Sequence, residues 1–518
     1  MALIDFFDRG MSLGADRVAF VADDKTWTFQ QAFDVNSRVA HALIDAGFAK
    51  ETRAAVLAMN DPLAWQCVLG LWRAGLAWVP LNPRSTVEDH VQLLGGFDAE
   101  VIFYQRAFAS DIAVIRAQCP AIRLFVCLDG DDAPSHILTG WIKPFPATFT
   151  TRQVDPDDLG AIMPTGGTTG MPKGVMLTHR TLCLSTANGI INSPYPADEP
   201  IVNLAAAPMT HTAGFLSLSA TARGGTIIIM TRPDPASLLD MMEKHRVTEL
   251  FLPPTVIYRL LEMPGVRDRK LPGLRYFNYG AAPMSIDKLR LALDIFGPVM
   301  HQGYGQTEAP GSIAFMRPGH HYRDGQIADD NRLSACGLPS VLNATAIMDE
   351  DNRPVPQGES GEICVRGDIV MKGYYRQPEK TAEVIIDGWL HTGDIGHLDG
   401  EGFLHITDRK KDMIISGGFN VFPSEVEQVI WSHPAVMDCA VIGVPHPDWG
   451  ETVKAVVELK PGAQATAEGL IALCKDKLGS VKAPKSVDFI ESLPRSPVGK
   501  VLKKVIREPY WKDVGRRI

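Results

Sequence analysis

Hydrophobic and polar positions in the first hundred residues switch between the two periods of regular structure. Arg17–Ala22 reads as a short strand. Thr28 and Gln31 have the spacing of a capping box, and Phe29, Ala32, Phe33, Val39, Ala40 and Leu43 then recur as a helical stripe that Gly47 stops. Ala54–Met59 is apolar throughout, the mark of a strand buried on both faces. Pro62–Ala74 and Val87–Leu94 read as helices, Ala77–Leu81 and Val101–Tyr104 as strands. Repeated β-α-β units predict a parallel sheet covered by helices on both faces. The rhythm resumes after position 200, with strands at Ile227–Met230 and Leu250–Leu252 and a helix at Leu238–His245.

From about 345 the texture changes. Ala344–Met348, Gly361–Arg366 and Gly402–Ile406 are short strand-like runs between Gly, Pro and Asp turns, which predicts a β-rich, barrel-like subdomain over about 345–408. Asp408–Asp412 is a charged joint, and the chain beyond it is long enough for a small domain of its own. The predicted fold class is α/β: a large N-terminal domain of helix-covered sheets over 1–408, and a small α+β domain over 409–518.

Composition narrows the function. At 518 residues the chain is too long for one compact unit, and 45% hydrophobic with 21% charged content excludes disordered, collagen-like and coiled-coil chains. A net charge of −9 argues against a nucleic-acid partner. No apolar run reaches the ~18 residues of a membrane span. Asp5 and Asp8 stand where a signal peptide would be basic, and the eight cysteines contain no C-x-x-C pair, so a cytoplasmic protein with reduced thiols is expected. The charge is unevenly kept: 409–518 carries 17 basic and 13 acidic side chains, whereas 1–408 carries 34 and 47. A small basic domain after a large acidic one suits an anionic ligand.

The richest stretch is Thr165-Gly-Gly-Thr-Thr-Gly-Met-Pro-Lys-Gly174. Glycines let the backbone approach a ligand, threonine hydroxyls and successive N–H groups can surround phosphate oxygens, and Lys173 adds a cation. A flexible Gly/Thr surface loop is the plain alternative. Pro172 before Lys173 and Gly174 after it exclude a Walker A loop, and the spacing is not a G-x-G-x-x-G fingerprint.

These residues resemble the adenylate-forming superfamily of acyl-CoA synthetases, peptide-synthetase adenylation domains and beetle luciferases. The family's phosphate loop is T-S-G-T-T-G-x-P-K-G; here Gly166 replaces the serine. Further family motifs follow in order: Gly303-Tyr-Gly-Gln-Thr-Glu308, Trp389-Leu-His-Thr-Gly-Asp394, the hinge Asp408-Arg-Lys-Lys-Asp412, the run Gly417–Glu427, and Pro494-Arg-Ser-Pro-Val-Gly-Lys500. The resemblance implies a two-step reaction. A carboxylate attacks the α-phosphate of ATP, held with Mg²⁺, to give acyl-AMP and pyrophosphate; a thiol, usually that of coenzyme A, then displaces AMP.

It also implies roles. Lys500 would bridge the carboxylate and the α-phosphate. Thr165, Gly166, Gly167, Thr168, Thr169, Gly170 and Lys173 would cradle the phosphates. Thr307 would contact the α-phosphate, and Glu308 would hold Mg²⁺. Tyr304, between Gly303 and Gly305, would stack on adenine. Gly280, Ala281 and Ala282 would line the adenine and acyl site. Asp394 would accept from the ribose hydroxyls, its alternative being an Asx turn after Gly393, and Arg409 would donate to the nucleotide. Lys411 would be the hinge about which a mobile C-terminal domain turns, bringing Gly417, Gly418 and Phe419 to the coenzyme A tunnel. His211 would gate an acyl pocket walled by Phe215, Thr255, Tyr279, Gly280 and Gly311, read as apolar with small residues between.

The segment His211-Thr-Ala-Gly-Phe215 lacks the acid with which amino-acid-activating domains bind an α-ammonium. A monocarboxylic acid, medium-chain fatty, aromatic or alicyclic, is therefore expected, and with it an acid–CoA ligase. An acyl-carrier-protein ligase, a luciferase-like enzyme and a nucleotide-binding regulator without turnover are the alternatives. A homodimer is the assembly considered.

Overall fold

The computed structural model of the chain describes residues 1–165, 172–209, 213–231, 234–416, 419–447, 449–495 and 501–512. The local signals of the sequence act as read. Thr28 and Gln31 form the reciprocal capping box, and the helix Phe29–Asp45 buries the anticipated stripe. Asp61 caps Pro62–Arg73 by accepting from Leu63 and Ala64 N–H groups, with proline in the first turn where no donor is needed.

Among the described residues the strands form two large sheets and two small ones besides a short hairpin. The first large sheet runs Gly373–Tyr374, Lys173–Thr178, Leu159–Thr165, Ala77–Pro80, Arg53–Leu57, Ala99–Tyr104, Leu124–Cys127 and His136–Ile137. Its middle is parallel, as β-α-β crossovers require, and its Lys173 end is antiparallel. The second runs Leu338–Pro339, Ala309–Met316, Met300–Gln306, Tyr276–Gly280, Glu249–Leu252, Val202–Ala205, Thr226–Ile229, Val18–Ala22 and Lys25–Thr28. The N-terminal hairpin thus pairs with Thr226–Ile229 and not with the β-α-β strands that follow it in sequence.

Helices Phe29–Asp45, Pro62–Arg73, His179–Asn192 and Gly214–Ala222 contribute to one core between the large sheets. Trp65, Trp72 and Trp78 meet there edge to face at 5.6–6.0 Å, and Phe215 packs on Trp72 and Trp78. The outer faces are covered by Val87–Gly96 and Ala109–Gln118 on the first sheet, and by Pro235–Lys244, Pro254–Leu261 and Ile286–Phe296 on the second.

The β-rich region is a five-stranded antiparallel sheet over Ala344–Met348, Gly361–Arg366, Ile385–Ile386, Trp389–Leu398 and Leu404–Arg409. A different sheet begins at Ile414, with its own core of Val421, Val426, Ile430, Val441, Val453 and neighbours. Within that small α+β unit Lys503 pairs with buried Glu427 at 2.7 Å, while Asp408 just before the joint accepts from the Ser424 N–H at 2.9 Å. All eight cysteines are buried and free. No helix of the described residues is long and apolar enough to cross a membrane.

Candidate active site

One cleft, about 2480 Å³, runs from the antiparallel end of the first sheet across the second to the small C-terminal unit. Thr165, Lys173, Gly280, Ala281, Ala282, Gly303, Tyr304, Gly305, Thr307, Glu308, Asp394, Arg409 and Lys411 all line it, although they span some 250 positions of sequence. Phe215, Thr255, Tyr279 and Gly311, expected around the acyl group, line it too. Gly166, Gly167, Thr168, Thr169, Gly170, His211, Gly417, Gly418 and Lys500 lie outside the described residues.

Sheet register explains the convergence. Thr165 and Lys173 are cross-strand partners, so the intervening glycine-rich segment joins two antiparallel strands rather than a strand and a helix. Gly280 pairs with Gly303 on adjacent parallel strands. A Cβ on Gly280 would stand 2.5 Å from the Gly303 carbonyl oxygen, and one on Gly303 would stand 2.5 Å from Ser312 Oγ. The chain then turns at Ala281 with φ 65°, which frees the space beyond the strand end.

Two polar clusters flank this floor. In the first, Tyr304 OH donates to Asp394 Oδ2 at 2.7 Å, and Arg409 Nε lies 3.0 Å from Asp394 Oδ1. Asp394 and Arg409 are register partners, which is why the ion pair forms. Asp394 is 3% exposed, and its carboxylate bonds to these side chains rather than closing a local turn. Burial and the neighbouring carboxylate push the Tyr304 phenol well above its usual range, so it stays a donor. In the second cluster, Tyr374 OH donates to Glu308 Oε1 at 2.9 Å, and the Lys173 ammonium stands 4.4 Å from the centre of the Tyr374 ring. Tyr374 reaches this place because Gly373–Tyr374 pairs with Val175 and Met176. Sequence reasoning passed over Tyr374; a two-residue edge strand carries no periodic signal.

The C-terminal unit closes the cleft with Arg495, Val501 and Lys503. Arg495 is held by Asp438 at 2.8 Å and Glu458 at 3.2 Å, and it forms an antiparallel bridge with Val501. Gln428 donates to the Met284 carbonyl at 3.3 Å, docking helix Pro423–Trp431 on the loop after Ala282. Phe419 is 61% exposed and is not among the residues lining the cleft. The joint is a tight turn in which the Asp412 and Met413 N–H groups both donate to the Arg409 carbonyl, with Lys411 exposed.

Polar side chains that the sequence reading did not single out line the cleft as well. Asn203, Glu249, Asn278 and His301 line the cleft beside Phe215 and Phe315. For Asn203 and Glu249 the signal was available: each is the lone polar residue of a short apolar strand, VNLA and ELFL.

The AMP-binding enzyme profile matches residues 7–375, and the AMP-binding enzyme C-terminal domain profile matches 425–500. The chain belongs to this adenylate-forming family, among its acyl-CoA synthetases. It is 34% identical over 515 residues to the medium/long-chain-fatty-acid–CoA ligase FadD8 of Mycobacterium tuberculosis, covering 97% of this chain and 88% of that protein. It is 36% identical over 480 residues to a feruloyl-CoA synthase of Amycolatopsis, covering 92% of each. ATP-bound MatB from Rhodopseudomonas palustris superposes with a TM-score of 0.89 at 31% identity, over the full length of both chains.

Proposed function

We propose that this protein is an ATP-dependent acid–CoA ligase acting on a monocarboxylic acid of medium-chain fatty, aromatic or alicyclic type. The observation that carries the reading is the meeting, in one cleft, of the Tyr304–Asp394–Arg409 cluster, the Glu308–Tyr374–Lys173 cluster and a floor of small residues between them. ATP fits these in order: adenine over Gly280–Ala282 and against Tyr304, ribose on Asp394, and phosphates toward Thr165, Lys173 and the glycine-rich segment, with Arg409 donating to the nucleotide.

Glu308 fits a Mg²⁺ ion that arrives with the triphosphate. One carboxylate oxygen takes the Tyr374 hydroxyl and the other is left for the cation, while the described residues hold no group of three carboxylate, His or Cys side chains for a resident ion. The carboxylate oxygen of the acid attacks the α-phosphorus, and the bond to pyrophosphate breaks. Thr307 and Lys500 are assigned to the charge that grows on the phosphoryl oxygens, a task of positioning and electrostatics. The coenzyme A sulfur then attacks the acyl carbon, AMP leaves, and the thiol proton is lost. Support for Lys500 is that Arg495 and Val501, on either side of it in sequence, line the cleft.

The domain boundary is placed at the 408–412 joint, where one sheet ends and the next begins. A turn there would exchange the Lys500 side of the C-terminal domain for the side bearing Gly417, Gly418 and Phe419. The exposed Phe419 suits a surface that comes into use after that rotation. Lys411 donates no backbone hydrogen bond among the described residues, so Lys411→Pro is expected to leave adenylation within about 3-fold of wild type while fixing φ at the pivot. In single-turnover assays, thioester formation should fall by 10-fold or more; unchanged thioester kinetics would remove the hinge from this position. His211 remains assigned to the acyl gate. A cytoplasmic setting fits the buried, free cysteines, and a homodimer is checked by light scattering.

The ligase reading is tested by pyrophosphate release over fatty acids of two to sixteen carbons, benzoate, phenylacetate, cinnamates and cyclohexanecarboxylate. Product formation is then followed with and without coenzyme A. Release with at least one acid, followed by coenzyme A-dependent thioester, is expected; no release with any acid would leave a nucleotide-binding regulator.

A further inference from the structure

The second large sheet arranges its residues in rows across the strands. Gly280 and Gly303 form one row, Phe251, Asn278 and His301 the next, and Asn203, Glu249 and Tyr276 a third. Side chains two apart on a strand share a face, so these rows succeed one another at about 7 Å, moving away from the nucleotide end. An acyl group that enters over the glycine row meets His301 next.

His301 is 2% exposed, lines the cleft, and is stacked on Phe315 with ring centres 5.5 Å apart and planes 13° from parallel. Its Nδ1 lies 2.7 Å from Asn278 Oδ1, and the Asn278 amide nitrogen donates to the Leu250 carbonyl at 3.1 Å. That second bond fixes which end of the amide faces the ring. The oxygen facing Nδ1 can only accept, so Nδ1 carries the proton. Burial drives the imidazole pKa down to about 3, which keeps the ring neutral. Nε2 is therefore a bare lone pair, and no group among the described residues bonds to it. A buried acceptor without a donor calls for a partner; His90, His179, His245 and His391 also have an unpartnered ring nitrogen, but His301 is the one set in the row next to Gly280 and Gly303.

In the row beyond, Glu249 is 3% exposed, accepts from Asn203 Nδ2 at 2.9 Å and Tyr195 OH at 3.0 Å, and has Arg223 at 3.7 Å. Its charge opposes a second carboxylate at this depth.

We infer that the acyl group preferred by this site carries a hydroxyl, phenolic or alicyclic, that donates its proton to Nε2 of His301. This rests on the acid–CoA ligase reading and narrows it. A ketone or ether at the same place would set lone pair against lone pair, and an unsubstituted ring would leave Nε2 buried without a partner. A site built to bond a hydroxyl discriminates strongly against the analogue lacking it.

The test uses two triplets, with kcat/KM read by pyrophosphate release: 4-hydroxycinnamate, 4-methoxycinnamate and cinnamate, and 4-hydroxy-, 4-oxo- and unsubstituted cyclohexanecarboxylate. In one triplet the hydroxylated acid should exceed both companions by about 10-fold or more; whichever triplet shows this names the source of the hydroxyl. His301→Leu should abolish that preference, lowering kcat/KM for the hydroxylated acid more than for either companion. Equal use of all three members in both triplets would overturn the inference, as would a preference for the ketone or a His301→Leu loss shared equally by every acid. If no acid releases pyrophosphate, the ligase reading fails and the inference with it. Histidine ¹⁵N spectra of the wild-type protein supply a readout independent of the variant. A neutral Nδ1–H tautomer whose bare Nε2 signal moves upfield with the hydroxylated acid supports the inference, and an Nε2–H tautomer overturns it.

Discussion

Lys500→Ala is expected to lower acyl-AMP formation by about 10³-fold, the scale for losing a preorganised charge from a developing oxyanion. Thioester formation from supplied acyl-AMP should stay within a few-fold of wild type. The split follows from the chemistry. In the first step two anions approach each other and negative charge gathers on the α-phosphoryl oxygens. In the second the phosphate is already a monoester leaving group and the attacking thiolate needs no such bridge. The lysine is carried by the basic 409–518 segment, which holds 17 of the 51 Lys and Arg residues. Rapid-quench measurement of each half-reaction decides: equal loss in both would move Lys500 from the chemistry to a structural role.

Asp394→Ala is expected to damage both half-reactions. The carboxylate accepts from Tyr304 and pairs with Arg409 at a site 3% exposed. Its removal strips the assigned ribose acceptor and leaves the Tyr304 hydroxyl without its partner. Hydrogen bonds to a charged group contribute about 1.5–3 kcal/mol each, so kcat/KM for ATP should fall by about 10²-fold or more, chiefly through KM. Because acyl-AMP keeps the ribose, its use in the thioester step should fall as well. Tyr304→Phe, which keeps the ring and loses only the hydroxyl, should cost under about 10-fold in kcat/KM for ATP. An Asp394→Ala enzyme with an unchanged KM for ATP would remove the ribose assignment.

These variants separate kinds of residue that differ in how visible they are in the sequence. Glu308 and Asp394 stand inside dense local motifs, and the structure places both in the cleft. Tyr374 stands in no motif, yet it joins Glu308 to Lys173 through its hydroxyl and its ring. His301 and Asn278 stand on separate strands with nothing in either to mark a partner; only parallel register brings them together. A strand read singly does not say which polar residue lies beside which.

What the sequence determined by itself was local and chemical. Periodicity and capping placed the helix Phe29–Asp45 and the strands of the β-α-β core, since a capping box and a buried stripe act within a few turns of chain. The glycine-rich segment and the spaced motifs gave the family. The tertiary structure decided what depends on pairing between distant segments. It sent the N-terminal hairpin to the second sheet, paired the strands on either side of the glycine-rich segment antiparallel, and brought Tyr374 under Lys173. It also lined up Asn278 with His301 and left Nε2 without a partner among the described residues. Hydrogen-bond register sets these neighbours, and register is a property of two strands together, which neither strand's own residues specify.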